Sequence, residues 1–363
     1  MGFSCGLVGL PNAGKSTLFN ALTAGHAEVA GYPFTTIAPH VGVVPVPDPR
    51  LDALARGVGP ERVTPTTLEF VDIAGLVKGA SQGAGLGNQF LGHIREVDLI
   101  AHVVRCFQDG EVAHVEGEPA PARDMTLVNV ELALADLETV RRSVARLEKA
   151  VRAGEPGREG LALCHRLAEG LERGVPARAL VGPEAQAGLR ELHLLTGRPM
   201  LYVANVGEAD LTGPGPLLQE AQAQARDEGT SLVAIAAKLE AELATLPAPE
   251  RQEYLEVAGL KESGLHQLVR LGYDLLGLVT FFTLTGKKEV RAWTVPRGTR
   301  AAQAGGRVHS DFERGFIKAE VIAWEAFLRA GSEHAAREEG AMRLEGREYE
   351  VHDGDVIHFR FHA

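Results

Sequence analysis

The chain has 363 residues, a formal net charge of -11, 45% apolar and 23% charged side chains, and three cysteines. Such a composition is ordinary for a soluble globular protein, and the length predicts about two or three domains. The acidic balance excludes a binder that grips nucleic acid by global charge, so no DNA partner is expected, although a local basic patch stays open. Cys5, Cys106 and Cys164 show no metal-ligand spacing and suit a reducing cytoplasm. No apolar run approaches the roughly 18 residues of a membrane span, and the N-terminus leads straight into a strand, which predicts no signal peptide.

That first strand, Phe3 to Leu10, runs into Gly9-Leu10-Pro11-Asn12-Ala13-Gly14-Lys15-Ser16, followed by a helix over Ser16 to Thr23. Strand, glycine loop and helix are the context in which G-x-x-x-x-G-K-[ST] binds phosphate. Glycine lets the backbone turn sharply and aim its N–H groups at the β-phosphate. Asn12, Ala13, Gly14, Lys15, Ser16 and Thr17 are the expected nucleotide contacts, with Lys15 supplying a point charge to the β- and γ-phosphates and the Ser16 hydroxyl a ligand for Mg²⁺. In the loop Gly31 to Ile37, Thr35 and Thr36 form a candidate switch, Thr36 being placed to reach Mg²⁺ and sense the γ-phosphate.

A strand over Leu68 to Ile73 ends in Asp72-Ile73-Ala74-Gly75. D-x-x-G in this place completes a phosphate site: Asp72 holds the Mg²⁺ shell and the Gly75 N–H meets the γ-phosphate. Gly79, Gly83, Gly85 and Gly87 mark a second switch loop, followed by a helix over Asn88 to Val97 and an apolar strand over Leu99 to Cys106.

The stretches GLPNAGKSTLFNAL, PFTTI, FVDIAGLVKGASQGAGLGNQFL and HVVRCF resemble the YchF / Obg-like ATPase family, within the Obg-related P-loop proteins of the translation-factor class. The similarity extends over essentially the whole chain. It implies an ATP-hydrolysing switch protein that associates with the ribosome or ribosomal RNA, regulates translation or a stress response, and works in the cytoplasm as a monomer.

From Val130 to Val151, apolar residues recur at spacings of three and four, and Gly154 to Gly157 breaks the pattern before Leu163, Leu167 and Leu171 resume it. An antiparallel helical hairpin follows, which the resemblance implies is an inserted coiled-coil arm. Met200 to Asn205 reads as a strand leading into Asn205-Val206-Gly207-Glu208, where a GTP-binding relative carries N-K-x-D. Val206 replaces the lysine that packs along the base, and Glu208 is one methylene too long for the bidentate contact to guanine. The resemblance implies ATP preference, with the Asn205 side chain and the Val206 backbone reading the adenine edge. Ala236-Ala237-Lys238, after a strand over Leu232 to Ala237, is similar to the S-A-K loop of GTP-binding relatives.

A helix over Leu265 to Leu276 closes this part. Beyond it the sequence predicts strands around Phe281 and Glu289 to Val295 joined near Thr285 to Lys288, a helix over Val321 to Leu328, and strands over Arg347 to Val351 and Val356 to Phe361. This segment resembles the TGS domain, a ubiquitin-like β-grasp module. Residues 279–363 carry 13 basic and 13 acidic side chains, so the rest of the chain holds the whole charge excess, while 279–320 counts 8 basic against 4 acidic. That local bias can meet RNA phosphates.

The expected architecture is α/β: a P-loop NTPase domain over 1–125 and 196–278, a helical arm over 126–195 and a TGS domain over 279–363. The residue after D-x-x-G is Leu76, which cannot orient water as a glutamine does. Two substitutes stand open. One is K⁺ held at Asn12, where relatives that use this ion carry an asparagine ligand. The other is His114, in a polar loop from which a side chain can swing toward the γ-phosphate as a catalytic group.

Overall fold

The computed structural model describes residues 3–24, 40–73, 86–154, 156–182 and 186–362. In chain order the elements are β1 (Phe3–Val8), α1 (Lys15–Thr23), β2 (His40–Pro45), α2 (Pro49–Val58), β3 (Arg62–Thr64), β4 (Thr67–Asp72), α3 (Leu86–Glu96), β5 (Leu99–Cys106), α4 (Pro121–Arg152), α5 (Arg158–Glu172), α6 (Ala177–Leu180), α7 (Gln186–Glu191) and β6 (Met200–Val206). There follow α8 (Pro216–Asp227), β7 (Leu232–Ile235), α9 (Ala237–Leu243), α10 (Ala248–Val257), α11 (Gly264–Leu275), β8 (Leu278–Leu284), β9 (Glu289–Pro296), α12 (Ala301–Val308), α13 (Ser310–Arg314), β10 (Phe316–Ala323), α14 (Trp324–Ala330), α15 (Glu333–Glu338), β11 (Arg343–Glu345) and β12 (Asp355–Phe361).

Two units emerge, Met1–Val44 with Glu69–Leu268, and Pro45–Leu68 with Val269–Ala363. The first holds a six-stranded sheet in the order β2-β4-β1-β5-β6-β7, in which β1, β5, β6 and β7 pair in parallel. Both central strands β5 and β6 are buried along their whole length, which is why they read as continuous apolar runs rather than alternating ones. A P-loop that follows β1 therefore sits at the carboxyl ends of parallel strands, the place where open α/β sheets bind ligands.

The long helix begins at Pro121, nine positions before the first periodic residue Val130, with proline in its first turn where no N–H is missed. Met125, Val128, Leu132 and Ala135 pack into the core of the sheet. Ala133, Leu137 and Val140 instead pack with Cys164, Leu167 and Leu171 of α5. The contacts Arg141–Glu172 and His165–Glu148 fix an antiparallel hairpin. All three cysteines are buried and unpaired, and burial pushes the Cys5 and Cys106 thiols well up.

The second unit holds a mixed sheet in the order β11-β10-β12-β8-β9-β3. The β8–β9 hairpin is antiparallel, and β8 pairs in parallel with the last strand, β12. Here the structure corrects several expectations. Residues 45–68, assigned above to the nucleotide domain, cluster with the C-terminal unit, because β3 pairs with β9 (Arg62 with Glu289) and Leu51 and Leu54 of α2 join the core around Phe282 and Phe327. The expected helix over Val321 to Leu328 starts only at Trp324; Val321 and Ile322 belong to β10, where pairing with Ile357 and Val356 of β12 fixes an extended backbone. Arg347 to Val351 is not a regular strand. The edge strand β11 lies earlier, and Tyr349 turns its hydroxyl to Asp355.

Candidate functional site

The loop after β1 holds backbone conformations that side chains tolerate poorly. Gly9 has φ 158° and Gly14 φ 94°; a Cβ on Gly9 would lie 2.3 Å from the Val103 carbonyl oxygen, and one on Gly14 2.1 Å from Asn205 Nδ2. Both glycines are therefore required by close approach. Asn12 adopts φ 62°, a region that asparagine enters more readily than most residues.

Lys15, at the start of α1, is 7% exposed and donates to the carbonyls of Gly9 (3.1 Å) and Leu10 (2.8 Å). Burial lowers its pKa to about 8, against the opposing pull of the Asp72 carboxylate. Beside it Ser16 Oγ donates to Asp72 Oδ2 at 3.1 Å, so the loop and the end of β4 meet as expected. Hydroxyl and carboxylate are hard oxygen donors of the kind Mg²⁺ prefers, and the pair fits that ion. The other two residues expected at this point, Thr36 and Gly75, lie outside the described residues, as does Leu76.

A cleft of about 680 Å³ opens from the loop. Asn12, Gly14, Lys15, Ser16 and Thr17 line one end, and Val206, Gly207, Glu208, Ala237 and Lys238 the other. Asn205 is buried between them. Its Nδ2 donates to the Ala13 carbonyl at 3.0 Å and its Oδ1 accepts the Ala237 N–H at 3.1 Å. The side chain expected to read a base thus braces the phosphate loop against the start of α9. Val206, Gly207 and Glu208 line the cleft beyond it, and the Tyr254 hydroxyl donates to Glu208.

One wall of the cleft was not anticipated. Arg105, in the apolar run of β5, is 3% exposed. Its Nη2 donates to Val112 O at 2.9 Å and its Nε to Phe107 O at 3.2 Å, while the guanidinium lies 4.6 Å from the Phe107 ring centroid. These bonds hold Phe107, Gln108, Asp109 and Val112 along the cleft. The available signal was a single arginine inside an apolar strand: such a charge must find buried acceptors, and a loop doubling back supplies carbonyls. Asn12 Nδ2 donates to Ala113 O at 3.0 Å and ties the same loop to the phosphate loop. His114, next along, does not line the cleft. Its Nε2 bonds Asp124 Oδ2 at 2.9 Å and its Nδ1 accepts the Glu116 N–H at 3.1 Å.

Among the described residues no helix is long and apolar enough to cross a membrane, and no group of three or more His, Cys, Asp or Glu side chains forms a metal cluster.

Comparison with known proteins places this arrangement. Residues 4–134 match the family model described as 50S ribosome-binding GTPase, and residues 278–362 match the C-terminal YchF-GTPase model, described as a protein of unknown function. The chain is 50% identical over 365 residues to the ribosome-binding ATPase YchF of Escherichia coli O157:H7, with 100% of both chains covered. To the protein of the same name from Bacillus subtilis strain 168 it is 49% identical over 367 residues, again with 100% of both covered. The solved structure of the Schizosaccharomyces pombe YchF GTPase matches with a TM-score of 0.87 at 35% identity, covering 99% of this chain and 97% of that one.

Proposed function

The chain belongs to the YchF family of ribosome-binding ATPases, and from that membership we propose that it hydrolyses the β–γ bond of ATP in the cleft described above and that nucleotide state sets its grip on the ribosome. The observation that carries the ATP reading is the base end of the cleft. Val206 and a tyrosine-held Glu208 occupy the places of the lysine and aspartate that grip guanine. A longer carboxylate engaged by Tyr254 is poorly placed for a bidentate contact with guanine N1–H and its amino group. Adenine carries neither donor there, so it loses nothing. The Val206 backbone reads the adenine edge, with Asn205 fixing the distance between base and phosphates.

At the other end Lys15 and the backbone N–H groups of Asn12 through Thr17 bind the phosphates. Ser16 and Asp72, completed by Thr36, would hold Mg²⁺, which when bound neutralises phosphate charge. Gly75 contributes a backbone donor to the γ-phosphate. With Leu76 unable to position water, that task falls to His114 once its ring leaves Asp124; the alternative is K⁺, which Asn12 would hold and which would neutralise phosphate charge there.

Ribosome contact is assigned to the second unit, read as a TGS-type β-grasp module. Its strand connectivity supports this, a hairpin whose first strand runs parallel to the last. So do three arginines laid over aromatic rings: Arg291 at 4.0 Å from the Trp293 centroid, Arg343 at 5.4 Å from Tyr349 and Arg347 at 5.8 Å from Phe316. Arginine planes beside aromatic faces suit both RNA phosphates and unstacked bases. We propose that the protein works in the cytoplasm.

The test has two arms. Titration with fluorescent ATP and GTP should show ATP bound about 5- to 150-fold more tightly, the worth of one bidentate base contact, and Val206→Lys with Glu208→Asp should shift preference toward GTP. Tighter GTP binding by the unmodified chain would overturn the adenine reading. Co-sedimentation with ribosomes should weaken steeply with salt and be lost on replacing Arg291, Arg343 and Arg347 by alanine.

A further inference from the structure

The proposal here deepens the reading of His114 as the group that acts at the γ-phosphate, and rests on it. The backbone beside His114 already stands at the phosphate loop, since the Ala113 carbonyl accepts from Asn12 Nδ2 at 3.0 Å. The ring nevertheless points elsewhere. Its side chain is 2% exposed and is absent from the cleft lining, although Gln108, Asp109 and Val112 of the same loop are there. Both ring nitrogens are committed: Nδ1 accepts the Glu116 N–H, which leaves the proton on Nε2, and Nε2–H donates to Asp124 Oδ2. A histidine in this tautomer with both atoms occupied can neither take a proton from water nor give one to a phosphate oxygen.

The acceptor is itself firmly placed. Asp124 is 3% exposed and lies in the first turn of α4, where a carboxylate is favoured by the helix dipole. Its other oxygen accepts from Arg123 Nε (3.1 Å) and Nη2 (2.9 Å). Arg123 also donates to the carbonyls of Glu116 and Glu118, closing the turn that follows His114.

We propose that Asp124 is a positioning residue that parks His114 away from the cleft, so that the resting enzyme is slow because its histidine must first be released. Release requires rotation of the ring rather than transport of the loop, because Asn12 and Arg105 keep the backbone at the cleft wall. Asp124 belongs to α4, whose far half builds the helical hairpin, so a ligand that shifts α4 at its base would free His114 and speed hydrolysis.

Single-turnover ATP hydrolysis should separate the claims, measured for the full chain and for Asp124→Ala, Asp124→Asn, His114→Ala and the Asp124→Ala/His114→Ala double variant. Losing one hydrogen bond to a charged group is expected to raise the hydrolysis rate by about tenfold in Asp124→Ala, with less gain in Asp124→Asn, whose amide oxygen still accepts, and with KM for ATP unchanged. The gain must vanish in the double variant. Nitrogen-15 NMR of the His114 imidazole gives a readout independent of turnover: a fixed Nε2–H tautomer in the parent, averaged tautomers in Asp124→Ala. If His114→Ala keeps the parent rate, the reading of His114 fails and the proposal with it. If His114→Ala is slow but Asp124→Ala is no faster than the parent, or slower, while its imidazole signal averages, the parking role alone is overturned.

Discussion

Two buried charges stand at opposite ends of the parallel sheet, Lys15 beyond the carboxyl end of β1 and Asp136 against the turn that precedes β6. Each is nearly sealed from water, at 7% and 0% exposure. Asp136 accepts from the Leu195 N–H (2.8 Å), the Thr196 N–H (2.7 Å) and the Thr196 hydroxyl (2.6 Å). Burial pushes its carboxyl above the usual range against the pull of those donors and of Arg95. Its partners belong to the root of the helical hairpin, where Thr196 also accepts from the Ala177 N–H at 3.0 Å. Among the described residues Lys15, with three N–H donors to place, is met by two carbonyls of the loop and is drawn by the Asp72 carboxylate. Asp136 is held by three internal donors and lies outside the cleft lining, whereas Lys15, with two carbonyl partners among the described residues, lines a cleft in which an opposite charge can join it.

Asp136→Ala should have the largest effect. It strands two backbone N–H groups and a hydroxyl in a sealed site, and each stranded donor costs about 1–3 kcal/mol. A loss of about 3–5 kcal/mol in unfolding free energy is expected by urea titration, with ATP affinity within about twofold of the parent, since Asp136 touches nothing in the cleft. A similar loss of ATP affinity would show that the hairpin root and the phosphate loop are one cooperative piece.

Lys15→Met should do the reverse. The lysine pKa is lowered from 10.5 to about 8 by burial, so between those values the unfolded chain binds more protons than the folded one. Stability contributed by this group therefore rises with pH across that window, and below about pH 8 the sealed charge is a cost to the fold. Removing it at pH 7 should leave the nucleotide-free melting temperature equal or higher. ATP affinity should fall about 100-fold, the loss of charge-assisted bonds to phosphate. A melting temperature several degrees lower would mean that the Gly9 and Leu10 carbonyls depend on Lys15 more than the phosphates do.

The same contrast explains what could be read in advance. The phosphate loop was legible because its chemistry demands fixed residue types at fixed short spacings, and Gly9, Gly14, Lys15 and Ser16 occupy their expected places. Asp72 was legible for the same reason. The hairpin was legible through its period, but its start was not, because the first turns of α4 pack on the sheet rather than on α5. What escaped was decided by partners distant in sequence. Residues 62–64 carry no strong strand pattern and become β3 by pairing with β9. Val321 and Ile322 fit a helical stripe as well as a strand until β12 lies beside them. Arg105 and the brace formed by Asn205 depend on carbonyls and N–H groups that no local pattern announces.

The smallest effect, and the most direct reading of the difference between the two charges, is in pH. Burial lowers the pKa of nucleotide-free Lys15 to about 8. A triphosphate brings several negative charges against it and must push that pKa back up. The γ-phosphate itself loses its last proton near about pH 6, so it does not titrate above pH 8. Binding between pH 8 and the raised value must then take up a proton, and ATP affinity should fall with a limiting slope of about tenfold per pH unit. Calorimetry at pH 9 in two buffers of different ionisation enthalpy should report uptake approaching one proton per ATP bound. Lys15→Arg keeps its charge throughout this range, so its affinity, whatever its absolute value, should be flat with pH. Flat affinity in the parent would mean that Lys15 is already fully charged without ligand. Its third N–H would then be satisfied inside the protein, and the distinction from Asp136 would disappear.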